Sequence, residues 1–121
     1  MAGFTATPCG DIPTGMVATN VFVVVSITES QIVQNSNVGI AADDGNALVY
    51  VSDSHISRNT NYGIRQSSNS QFVLSNNIIS LNGIYGVVVD DPGHVYTMKN
   101  NTIHDNLGNI TGGPLIQLSL D

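Results

Sequence analysis

Ser30-Gln31-Ile32-Val33-Gln34-Asn35, Ser54-His55-Ile56-Ser57-Arg58-Asn59, Asn77-Ile78-Ile79-Ser80-Leu81-Asn82 and Asn101-Thr102-Ile103-His104-Asp105-Asn106 are four copies of one phrase. Their isoleucines and closing asparagines recur together at steps of 24, 23 and 24 residues. A period in this range marks a solenoid, in which each unit buries its apolar face against the next. Working outward from the phrase, apolar residues alternate with period two, and no window sustains the 3.6-residue pattern of a helix. The chain therefore reads as all-β.

Upstream of the phrase, Val25 and Ile27, Val49 and Val51, Phe72 and Leu74, and Tyr96 and Met98 stand seven and five residues before the repeat isoleucine. These are the expected inward positions of a second strand. Downstream, Gly39-Ile40, Gly63-Ile64 and Gly86-Val87 open a third strand, with Ile110 as the equivalent in the last unit. Three short strands are separated by a corner at Ser52-Asp53-Ser54, a turn at Asn59 to Tyr62 and a longer polar turn such as Ser67 to Ser70. One unit is thus one triangular coil, and the chain holds about four to five of them. Stacked coils pair equivalent strands in parallel about 4.8 Å apart, setting isoleucine on isoleucine. The asparagines fit the same geometry, because an amide carries both donor and acceptor and can bond the amides above and below it.

The pattern N-x-I-x-x-N-x-x-x-G-[IV], seen in Asn77 to Val87 and with serine first in Ser30 to Ile40 and Ser54 to Ile64, resembles the right-handed parallel β-helix repeats of the pectate-lyase-like superfamily. The resemblance spans Val21 to Thr111 and implies a right-handed, single-stranded parallel β-helix. In that family the glycine-led strand forms the first sheet, along which members usually bind sugars. Its expected outward positions here include Ala41, Arg65 and Val88, without the dense acidic, lysine and arginine set of a lyase groove. Residues 1–20 read as an irregular N-terminal segment with a degenerate coil in which Gly15-Met16 align with Gly39-Ile40. Residues 21–114 hold the β-helix repeats, and 115–121 form a C-terminal strand with Ile116, Leu118 and Leu120 alternating with polar residues.

Composition narrows the function classes. At 121 residues the chain is one domain, only 10% of its residues are charged, and 14 asparagines and 12 glycines supply turns. A formal charge of −6, with Arg58, Arg65 and Lys99 as the basic residues, argues against a nucleic-acid partner, whose phosphates need cationic contacts. The longest apolar run, Val21 to Val25, is far short of the roughly 18 residues of a membrane helix. The start of the sequence shows no signal-peptide pattern, and Cys9 has no second cysteine, so the compartment stays open.

Two acidic turns, Asp43-Asp44-Gly45-Asn46 and Asp90-Asp91-Pro92-Gly93-His94, follow the glycine-led strand two coils apart. Their carboxylates are expected on one face about 9–10 Å apart, near the upper end of the spacing for inverting glycoside hydrolysis. Turn chemistry accounts for the same residues without any catalysis, and neither an EF-hand spacing nor a zinc-ligand cluster is present. Asp90-Asp91 with His94 loosely resembles elements of polygalacturonases, but without a convincing Arg-x-Lys motif or the remaining aspartate motif. Tyr62 and Tyr85 occupy matching positions before Gly63 and Gly86 and should stack; with Arg65 and His94 they are the candidate carbohydrate contacts. Asn100-Asn101-Thr102 and Asn109-Ile110-Thr111 match glycosylation sequons.

No acid–base–cation set is complete, so the expectation is a non-catalytic structural or interaction module with no cofactor and no metal. Its expected partner is itself, as a homo-oligomer docking through Phe4 to Val17 and Leu115 to Leu120. The alternative is a carbohydrate-binding or carbohydrate-processing protein acting on a polysaccharide.

Overall fold

The computed structural model describes residues 4–6, 14–18, 23–43, 45, 47–92 and 94–118. Asp44, expected in the first acidic turn, and Leu120, expected in the terminal strand, lie outside the described residues. Among the described residues fifteen strands fall into three sheets. The first contains β1 (Phe4–Ala6), β2 (Thr14–Ala18), β5 (Val38–Ala42), β8 (Tyr62–Gln66), β11 (Tyr85–Val89) and β14 (Gly108–Thr111) in that order. The second runs β3 (Val23–Thr28), β6 (Ala47–Ser52), β9 (Gln71–Ser75), β12 (Val95–Thr97) and β15 (Ile116–Gln117). The third runs β4 (Gln31–Val33), β7 (His55–Ser57), β10 (Ile78–Ser80) and β13 (Thr102–His104). Every pairing is parallel except β1 with β2.

The register is the one the repeat requires. Ile32 lies opposite Ile56, Ile56 opposite Ile79 and Ile79 opposite Ile103. Ile40, Ile64, Val87 and Ile110 form the ladder of the first sheet, which Met16 of β2 extends at its other end. Val25, Val49 and Phe72 form one ladder of the second sheet, and Ile27, Val51 and Leu74 another. Ile56, Ile64, Phe72, Leu74, Ile79, Val87 and Val89 are fully buried. Each such side chain contributes about 1.5–3 kcal/mol by leaving water, so the stack itself supplies the cohesion that a single coil cannot.

Corners are made by single residues in the left-handed region. Gln34, Arg58, Leu81 and Asp105 each precede a ladder asparagine with φ of 59°, 57°, 58° and 57°. The first two corners keep the inter-coil ladder going, since the Gln34 N–H donates to Ser57 O and the Arg58 N–H to Ser80 O. Glu29, Asp53 and Asn76 turn the chain in the same way between the second and third sheets, with φ of 48°, 51° and 54°.

The last coil departs from the expected register. Val95, not Tyr96, lies opposite Phe72, and Thr97, not Met98, lies opposite Leu74. Val95 is buried while Tyr96 and Met98 are half-buried. In this coil the left-handed corner residue is Lys99, φ 69°, one place earlier relative to the phrase than Asn76. One extra residue is therefore absorbed at the corner, and counting back from Ile103 lands one position late.

Two amide columns run along the interior of the third-sheet corners. The side-chain amides of Asn35, Asn59 and Asn82 donate to Oδ1 of Asn59, Asn82 and Asn106, each at 2.9 Å. The backbone N–H of each donor residue bonds the same oxygen. A second column, Ser30, Ser54, Asn77 and Asn101, is joined by Ser30 N–H to Ser54 Oγ, Ser54 N–H to Asn77 Oδ1 and Asn77 Nδ2 to Asn101 Oδ1. Apart from Asn35 Oδ1, which is buried without a partner, the columns satisfy buried polar groups and fix register, since a one-residue slip would break every rung.

Candidate functional site

The first-sheet turns place Asp43, Ser67 and Asp90 on successive coils, directly after the Ala42, Gln66 and Val89 ladder. Asp43 Oδ1 accepts a hydrogen bond from Ser67 Oγ at 2.9 Å. Asp90 Oδ2 pairs with Arg65 Nε at 3.2 Å, and the two side chains are 40% and 48% exposed. Asp91 Oδ2 accepts from the Asn69 N–H at 2.8 Å and from Gln66 Nε2 at 3.4 Å. The organising residue is Gln66, fully buried at an inward position. Its Nε2 donates to Ser70 O at 2.9 Å and its Oε1 accepts the Asp91 N–H at 3.0 Å. Each described acidic carboxylate here is thus an acceptor that ties its turn to a neighbouring coil, an arrangement suited to holding the turns in register.

Tyr62 and Tyr85 stack with ring centroids 6.2 Å apart and planes 22° from parallel. Both are half-buried, next to buried Val38 on one side. On the other side Gly108 lies under the Tyr85 ring, with no room for a Cβ. Arg65 lies three residues along β8 from Tyr62, about 10 Å at strand rise. His94 immediately precedes β12 beyond the turn, and its buried Nδ1 has no hydrogen-bond partner. The candidates therefore gather as separate pairs along the first sheet and its turn. Val88, expected to face outward beside Arg65, is only 7% exposed, flanked in its ladder by Arg65 and Thr111.

A concavity of about 480 Å³ lies elsewhere, at the corner of the second and third sheets, and its lining includes Glu29, Gln31, Asp53, His55, Asn76 and Ile78. Three successive corners build it, which is why its residues sit at matching offsets from the repeat isoleucines. Asp53 Oδ1 accepts from Asn76 Nδ2 at 2.6 Å, and Ile78 is 44% exposed. The sequence reading passed over Glu29 and Gln31; aligning the left-handed corner residues of each coil is the signal that would have found them. No group of three or more His, Cys, Asp or Glu side chains able to hold a metal ion occurs among the described residues. Among them, too, no helix is long and apolar enough to cross a membrane.

The parallel three-sheet stack has a counterpart among known families, because a family model for the right-handed β-helix region matches residues 13–114. The chain belongs to the right-handed β-helix family. That match covers most of the sequence and includes every coil that carries the asparagine phrase. No curated protein and no solved structure matches the chain. Membership in the β-helix family accounts for the ladders and the corners but assigns no chemistry, since one fold of this kind hosts unrelated activities.

Proposed function

We propose that this β-helix is a non-catalytic structural and interaction module that associates with copies of itself through its coil ends. The supporting observation is the state of the last coil. Leu107 is 84% exposed and Ile110 42% exposed, beside half-buried Ile103 and Leu115. Around them β13, β14 and β15 are outermost in their sheets. Unpaired strand edges around an exposed apolar patch favour pairing with another chain. Light scattering at micromolar concentration tests this directly. A mass above 12.7 kDa that rises with concentration is expected; a constant monomer mass would sink the reading.

Carbohydrate binding is the second reading, favoured by the stacked pair Tyr62 and Tyr85 on the first sheet. A half-exposed aromatic pair beside hydrogen-bonding groups suits a sugar ring. A glycan array run with hydrolase and lyase assays separates binding from turnover. Turnover lost in Asp91→Asn would replace the non-catalytic reading with an enzymatic one.

A further inference from the structure

Glycine is required in the middle coils by the coil that follows. A Cβ added at Gly39 would lie 2.7 Å from Gly63 O and 2.9 Å from Asn59 Nδ2. At Gly63 it would lie 2.7 Å from Gly86 O and 2.8 Å from Asn82 Nδ2, and at Gly86 2.8 Å from Asn109 O and 2.7 Å from Asn106 Nδ2. Every one of these obstacles belongs to the next coil toward the C-terminus. The next position in this series, between the pairs Tyr85 with Gly108 and Val87 with Ile110, is occupied by Asn109. Its side chain fills the place where a further parallel coil, stacked at the same register, would put a backbone carbonyl.

The amide columns end in the same coil by the same device. Asn106 Nδ2 donates to Ile79 O as its predecessors do to the coil before, and it also reaches Asn109 Oδ1 at 3.2 Å. Asn109 thus supplies, from within the coil, an acceptor of the kind the following asparagine would have offered. In the second column Asn101 Nδ2 donates to Thr97 Oγ1 at 2.9 Å, and Thr97 stands in the ladder position that Val51 and Leu74 fill with apolar side chains. Both columns are closed by a polar residue placed where the repeat calls for glycine or a hydrophobe.

Electrostatics also sets this end apart. Residues 94–121 contain one lysine, Lys99, and two acidic residues, Asp105 and Asp121, whereas the whole chain carries −6. Two copies can therefore approach through this end with little like-charge repulsion, which the acidic remainder of the surface opposes. An antiparallel partner strand does not repeat the parallel carbonyl contact that Asn109 blocks. A two-fold arrangement also lets one face be its own complement.

We infer that the C-terminal end face, centred on Ile110 and Leu107, binds a second copy of this chain in a closed two-fold dimer, with β14 antiparallel to its counterpart, and that Asn109 closes it to head-to-tail stacking. This rests on the self-association proposed above and specifies its geometry. Light scattering on the full chain over a range of micromolar concentrations reads it out. The mass of 12.7 kDa is expected to double and then stop. Ile110→Lys should weaken the dimer more than about tenfold, because a charge then enters the centre of the contact. Val24→Lys, at a residue 56% exposed on outer strand β3, should leave it unchanged. Circular dichroism establishes that both variants fold. Growth past the dimer, or a dimer lost in Val24→Lys and kept in Ile110→Lys, overturns the two-fold geometry while leaving self-association standing. A monomer at every concentration overturns self-association itself.

Discussion

The middle coils and the last coil carry the same phrase and live in different surroundings. Ile56 and Ile79 are fully buried between neighbours on both sides, whereas Ile103, aligned with them, is half-buried because only one side is covered. Asn59 and Asn82 are 1% and 2% exposed, while Asn106 is half-buried. At these ladder positions, what a residue must be is set by whether a coil lies beyond it. Where no described strand lies beyond, as at β14, glycine gives way to Asn109.

The hardest test of that contrast is a charge in the isoleucine ladder. Ile79→Asp places a carboxylate where no donor or water reaches it, which should cost more than about 4 kcal/mol and abolish the cooperative melt. Ile103→Asp can turn its carboxylate toward solvent, so its loss should be less than half as large. Equal melting temperatures for the two variants would show that the last coil is as enclosed as the middle ones.

A smaller effect is expected in the amide column. Asn82→Ala removes the oxygen that takes both the Asn59 N–H, at 3.1 Å, and the Asn59 side-chain amide, at 2.9 Å. Two orphaned buried donors should cost about 2–4 kcal/mol by chemical denaturation. Asn106→Ala orphans the corresponding groups of Asn82 but opens them to water from the uncovered side, so roughly half that loss is expected. Amide hydrogen exchange at Asn59 and Asn82 reports each broken rung separately.

Glycine gives the next step down. Gly63→Ala drives a methyl against Gly86 O, which is backbone and cannot swing aside, and overpacking of this kind costs about 1–3 kcal/mol. Asn109→Ala meets no following coil and should change stability by less than about 1 kcal/mol, the worth of the Asn106 hydrogen bond. If both alanine variants melt together, the following coil does not impose the glycine.

How far the sequence disclosed all this depended on whether a feature repeats. The isoleucine and asparagine ladders, the three strands per coil and the Tyr62–Tyr85 stack repeat at fixed offsets, and each was legible. The inward pair Tyr96 and Met98 was misplaced because the extra residue falls at the Met98–Lys99 corner, upstream of the phrase used as the ruler. Asp43, Asp90 and Asp91 were legible as turn residues on one side of the stack. Their partners were not, because Arg65, Ser67 and Gln66 reach them from another coil. The concavity at Glu29 and His55 escaped notice because its lining is spread over three corners with different side chains.

The smallest predicted effect concerns backbone conformation at the third-sheet corners. Gln34, Arg58, Leu81 and Asp105 share the left-handed conformation. For an ordinary L-residue this conformation costs about 1–2 kcal/mol, and asparagine and aspartate bear it best because their short polar chains bond locally. The last coil already has Asp105 there, whereas the middle coil has Leu81, 49% exposed and so contributing little to the core. Leu81→Asn should therefore raise stability by about 0.5–1 kcal/mol, seen as a higher melting temperature with an unchanged circular dichroism spectrum. Asp105→Leu should lower stability by a similar amount, plus whatever its 2.7 Å contact with His104 contributes. A loss of stability in Leu81→Asn would mean that the exposed leucine is held by an apolar contact stronger than the conformational cost, and that side chains rather than backbone set the choice at these corners.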